Sequence, residues 1–131
     1  MIDENTKKKL ISQAVNIRKN AFTPYSNYQV GAALLASSGK IYCGSNFENA
    51  SFGAGVCAER IALGNALSNG ERCFKAICIC GKENSITPCG ICRQSLSEFN
   101  DIDVICCNPQ GDIIEYKLSE LLPNSFSSAN L

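Results

Sequence analysis

Nine cysteines and no histidine constrain this chain of 131 residues more than any other feature. An odd count cannot close completely into disulfides. The amino-terminal Met1-Ile2-Asp3-Glu4-Asn5 is acidic before it is apolar, so it does not read as an export signal. A reducing, cytoplasmic setting is expected, with the cysteines serving as free thiols, small core residues or metal ligands. The lack of histidine excludes Ser-His-Asp and Cys-His catalysis and every imidazole-bound zinc site. Lys plus Arg equals Asp plus Glu at 12 each, which argues against nucleic acid or an anionic membrane as partner. The longest apolar run, Val30 to Ala36, is far short of the ~20 residues of a membrane span. The length suits one domain, 1–131.

Apolar periodicity places a helix over 4–22, with Leu10, Ala14, Ile17 and Ala21 inward and Thr23-Pro24 as its stop. The basic triplet Lys7-Lys8-Lys9 fans around that helix and reads as a solvated face. Gln29 to Ala36 reads as a buried strand, Ser37 to Lys40 as a turn and Ile41 to Phe47 as the return strand. Glu48 to Gly55 is a loop. Cys57 to Ser68 is a helix with Ile61, Ala62, Ala66 and Leu67 inward, stopped by Gly70. Phe74 to Cys80 is an apolar strand, Gly81 to Thr87 a loop, and Cys89 to Phe99 a third helix with Pro88 in its first turn. Strands follow at Ile102 to Cys107 and Ile113 to Leu118, joined by the turn Asn108 to Asp112. Ser119 to Leu122 is a last helical turn limited by Pro123. This order predicts an α/β fold: a mixed five-stranded sheet with helices on both faces, in three layers.

The cysteines divide into two groups. Cys43, Cys73, Cys78, Cys80, Cys106 and Cys107 lie in or beside strands and read as small core residues. Cys89 and Cys92 form Pro88-Cys89-Gly90-Ile91-Cys92 at a helix start. Spacing i,i+3 puts them on one face with Cβ atoms about 5–6 Å apart, which suits one zinc ion or a redox dithiol. Cys57-Ala58-Glu59-Arg60 opens another helix and favours zinc. Three thiolates without histidine leave the fourth position of a tetrahedral zinc to water, the mark of a catalytic site. Glu59 is then the candidate general base and acid, provided that Cys57 sits at the helix mouth. Arg60 is a candidate to offset the surplus negative charge of the thiolates. Arg93, directly after Cys92, reads equally as a second such residue or as an exposed one.

From Phe22 to about Phe126 the chain resembles the small tetrameric zinc-dependent cytidine deaminases. The matching motifs are Pro24-Tyr25-Ser26, Val30-Gly31-Ala32-Ala33-Leu34, Asn46-Phe47-Glu48-Asn49-Ala50, Cys57-Ala58-Glu59-Arg60, Pro88-Cys89-Gly90-Ile91-Cys92-Arg93-Gln94 and Leu121-Leu122-Pro123. The resemblance implies one zinc per subunit on Cys57, Cys89 and Cys92. It implies that zinc-bound hydroxide attacks C4 of cytidine or deoxycytidine while Glu59 shuttles protons, giving uridine or deoxyuridine and ammonia. It further implies Asn46 and Glu48 on the ribose 3′-hydroxyl, the Ala58 N–H on the base carbonyl, and Tyr28 with a neighbouring subunit's Phe126 against the pyrimidine. A homotetramer in pyrimidine salvage follows from the same likeness. Two departures stand out: relatives commonly carry Phe at Tyr28 and Tyr at Phe52. The second removes a hydroxyl that in relatives faces the neighbour's ribose.

Two other readings compete. Deaminases of analogues such as blasticidin S share the cysteine motifs, but residues 46–50 look like the cytidine branch. A thiol–disulfide oxidoreductase on Cys89 and Cys92 leaves Cys57, Glu59 and Arg60 without a purpose. A structural zinc module needs a fourth protein ligand, and none is evident near Cys57.

Overall fold

In the computed structural model, which describes residues 2–131, the first helix starts at Asp3, whose Oδ1 accepts from Thr6 N at 2.7 Å. Helix α1 spans Glu4–Ile17 and gives way to a 3-10 turn at Arg18–Asn20. It therefore ends earlier than the apolar spacing predicts. Ala21 is extended, and Phe22 N donates to Asn46 O while Phe22 O accepts from Glu48 N. Backbone pairing with a distant segment wins over one more helical turn. Lys7 of the basic triplet pairs with Glu4 and Glu115, and Lys8 and Lys9 are exposed.

Five strands follow the predicted apolar runs with tighter ends: β1 (Gly31–Ala36), β2 (Ile41–Ser45), β3 (Phe74–Cys80), β4 (Asp103–Cys107) and β5 (Ile113–Lys117). The sheet order is β2-β1-β3-β4-β5. Only β3 and β4 pair in parallel, so the sheet is mixed. Helix α2 (Ala58–Ser68) and helix α3 (Gly90–Ser97) pack on one face, around Leu34, Ile77, Ile79 and Val104. Helix α1 covers the other through Leu10 and Ala14, against Ala33, Cys78 and Ile105. A short α4 (Leu118–Leu121) closes the edge after β5. Each fully buried Leu or Ile contributes about 1.5–3 kcal/mol.

Two glycines permit the close layers. A Cβ on Gly31 would sit 2.1 Å from Ala14 O, and one on Gly44 would sit 2.5 Å from Ala62 N. Cys78, Cys80, Cys106 and Cys107 are core residues, as expected. Cys43 is half-buried, and Cys73 is exposed because it precedes β3 instead of lying within it.

Strands β2 and β3 are both antiparallel to β1, so they run the same way. Their carboxyl ends share one edge of the sheet. The chain leaves each end through a loop and enters a helix, so the starts of α2 and α3 meet at that edge. Ligand sites in α/β sheets gather at such edges.

Candidate metal centre and active site

Both helices begin with cysteine as N-cap. Cys57 precedes α2 with φ −70° and ψ 152°, and Cys89 precedes α3 with φ −67° and ψ 170°. Pro88 therefore stands before the cap, not in the first turn. Neither cysteine makes a side-chain capping bond, and both stand at the positive end of a helix dipole, which favours thiolate. Cys92 lies one turn into α3 and is fully buried.

The three sulfurs lie within 4.8 Å of one another. Cys57 and Cys89 are separated by 3.7 Å, and Cys89 and Cys92 by 3.6 Å. Tetrahedral zinc with bonds of about 2.3 Å holds its sulfurs about 3.8 Å apart. The donor set thus fits zinc, with one position left over.

Around them the charges are arranged. Hydrogen bonding from the Cys92 thiol, then from Arg60 and Cys89, lowers the Cys57 thiol to about 5 against its burial. The same pairing with Cys57 pushes Cys92 upward. Arg60 Nη2 donates to Cys57 Sγ at 3.8 Å. Its Nε is buried and has no partner among the described residues, so the guanidinium retains an unused donor. The core thiols behave differently: burial raises Cys106 to about 11.

Glu59 is on the first turn of α2 and only 4 % exposed. Desolvation lifts its carboxyl to about 7, opposed in part by its own backbone N–H and the Cys92 thiol. A carboxyl poised there can take up and release a proton near neutrality. Ala58, between Cys57 and Glu59, is the first helical residue, and its N–H has no carbonyl four residues back.

The remaining predicted site residues are placed separately. Asn46 bridges the backbone: Val30 N donates to its Oδ1 at 2.8 Å, and its Nδ2 donates to Tyr28 O at 3.0 Å. One Nδ2 hydrogen is left. Tyr28 is half-buried against the core, with its hydroxyl near Gly81. Glu48 accepts from the Tyr25 N–H, the Ser26 N–H and the Ser26 hydroxyl. Hydrogen bonding to Ser26 lowers its carboxyl below the usual value. Glu48 lines a cleft of about 430 Å³ with Tyr25, Ser26, Asn49, Phe52 and Gly55. That lining omits the three cysteines, the first of which, Cys57, follows Gly55 by two residues. Phe126 stands on the tail, 59 % exposed, with its carbonyl held by Gln94.

Ser26 and Arg93 received no definite role from the sequence. The motif Pro24-Tyr25-Ser26 and the position next to Cys92 were the available signals. Ser26 bonds to Glu48, 22 residues on, and Arg93 bonds to Leu121, 28 residues on, as well as to nearby Thr87 and Pro88.

Residues 4–108 match the family described as the cytidine and deoxycytidylate deaminase zinc-binding region. The cytidine deaminase of Sporosarcina psychrophila is 44 % identical over 126 residues, covering 94 % of this chain and 93 % of that protein. The one from Halalkalibacterium halodurans is 45 % identical over 125 residues, covering 93 % and 95 %. The crystal structure of cytidine deaminase from Burkholderia pseudomallei superposes with a TM-score of 0.88 at 42 % identity, covering 95 % of this chain and all of that one.

Proposed function

The chain belongs to the cytidine and deoxycytidylate deaminase zinc-binding family, and on that premise we propose that it hydrolyses cytidine and deoxycytidine to uridine, deoxyuridine and ammonia. The observation that carries this is the convergence of three sulfurs and a buried carboxyl at two helix starts. Zinc, when bound, lowers the pKa of a coordinated water toward neutrality.

Cys57, Cys89 and Cys92 would hold the metal, and Arg60 would offset the thiolate charge. Glu59 takes a proton from the attacking water and delivers it to N3 as C4 becomes tetrahedral. It then takes the proton of the new C4 hydroxyl and carries it to the exocyclic nitrogen, which leaves as ammonia as the C4 carbonyl forms. The Ala58 N–H holds the base carbonyl. Asn46 offers its remaining Nδ2 hydrogen, and Glu48 a carboxylate oxygen, to the ribose 3′-hydroxyl. Tyr28 packs on the pyrimidine, with Phe126 of a neighbouring subunit opposite. The whole of 1–131 acts as one deaminase domain in a cytoplasmic homotetramer, with neither nucleic acid nor membrane as partner.

The test is loss of cytosine absorbance with ammonia measured in parallel. Wild-type protein should turn over cytidine and should stop when a chelator strips its zinc. Glu59→Gln should keep stoichiometric zinc and lose about 10²–10⁴-fold in kcat. Substantial turnover by that variant would remove Glu59 from the mechanism. Zinc-loaded wild-type protein without turnover would refute the substrate.

A further inference from the structure

Arg93 carries more side-chain bonds than an exposed residue needs. Its Nε donates to Pro88 O at 2.7 Å, its Nη1 to Leu121 O at 2.7 Å and its Nη2 to Thr87 Oγ1 at 2.9 Å. The Pro88 carbonyl belongs to the same planar peptide as the Cys89 nitrogen. Fixing that carbonyl fixes the plane from which Cys89 departs. Leu121 ends α4, so its carbonyl has no donor within the helix. The next residue, Gln94, donates to Phe126 O at 3.0 Å. Of two consecutive residues of α3, Arg93 thus grips the end of α4 and the loop that presents Cys89, and Gln94 grips the tail.

We infer that Arg93 is a positioning residue, whose guanidinium clamps the Pro88–Cys89 peptide to the end of α4, so that the backbone presenting one zinc ligand is held to that helix by one side chain. The inference rests on Cys89 being a ligand. None of the three acceptors is charged, so ion pairing does not explain an arginine here. Geometry does: the fork reaches acceptors in three directions, and a lysine ammonium on its flexible stem does not reproduce that fixed spread.

The test is the rate at which intact zinc-loaded proteins release metal to a chelating dye, well below their melting temperatures. Arg93→Gln should release zinc about 10–100-fold faster than wild type, the range for residues that orient metal ligands. Arg93→Lys should fall between the two, and it carries the comparison if Arg93→Gln does not fold. Asn100→Ala is the control for general loosening. It removes the bond that Asn100 Oδ1 accepts from Phe74 N at 3.1 Å and the one that its Nδ2 donates to Phe74 O at 2.7 Å, and neither touches a ligand loop. Its melting point should fall while its zinc release stays at the wild-type rate. Cys89→Ala, offered zinc, should hold none. If Cys89→Ala is zinc-free yet both Arg93 variants release zinc no faster than wild type or Asn100→Ala, the positioning role is overturned and the ligand reading stands. Retention of zinc by Cys89→Ala would overturn the ligand reading, and the positioning role with it.

Discussion

Asn46 shows how one side chain can serve fold and site together. Its amide accepts from Val30 N and donates to Tyr28 O, so it ties the entry of β1 to the end of β2. Asn46→Asp tests the donor alone. The new carboxylate still accepts from Val30 N, but its second oxygen faces the Tyr28 carbonyl. We expect a loss of about 1–3 kcal/mol at pH 7, read from urea unfolding. The sign of its pH dependence is fixed by the donor. Both protonation states accept from Val30 N, but only the protonated carboxyl can donate to Tyr28 O, so its pKa is raised above the ordinary ~3.9. The deficit against wild type should therefore shrink as pH falls through the raised value and be greatest above it. A deficit constant from pH 3 to pH 8 would show that the Tyr28 bond has no net effect. The motif around Asn46 was legible in the sequence, but its backbone clamp was not. The partners, Tyr28 and Val30, lie 18 and 16 residues away.

At the scale of elements, the five strands were legible because Gly31–Ala36, Phe74–Cys80 and their neighbours are apolar runs bounded by turn residues. The two cysteine-capped helices were legible from Cys57 and Cys89, each followed by helical spacing. The end of α1 was not, because Phe22 pairs with Asn46 and Glu48, which periodicity does not see. Nor was the contact of β2 with α2 at Gly44. A Cβ there would meet Ala62 N at 2.5 Å and Ala58 O at 2.6 Å. Both are backbone atoms and cannot rotate aside. Gly44→Ala must push the first turn of α2 off the sheet, and that turn carries Cys57 and Glu59. Zinc content and turnover should both fall sharply, with destabilisation of several kcal/mol. Gly64→Ala lies on the same helix with nothing within 4 Å of its added Cβ. It should stabilise by about 0.5–1 kcal/mol and keep its zinc. Equal effects of the two substitutions on zinc would show that the contact at Gly44 does not position the site.

At the scale of the whole molecule, large apolar side chains are left on the surface. Phe22, Tyr25, Phe52, Ile91 and Phe126 are each more than half exposed, and Tyr25 and Phe52 meet edge to face at 6.3 Å. Contiguous apolar surface of this kind is what subunits cover on assembly. In the proposed tetramer, Phe126 completes a neighbour's site while Glu59 serves its own, and subunit mixing tests this division. Glu59→Gln chains lack the proton carrier but present an intact Phe126. Phe126→Ala chains carry Glu59 but present no ring. Each variant alone should be strongly impaired. After random exchange of equal amounts, about a quarter of sites should combine a working Glu59 with a neighbour's Phe126. Activity should rise to about that share of wild type. If Phe126 served its own subunit instead, no mixed site would hold both groups, and mixing would restore nothing. Light scattering on the same samples supplies the remaining check: the mass should be about four times the 14.1 kDa chain before and after exchange. Restored activity at that mass requires that the ring cross a subunit boundary.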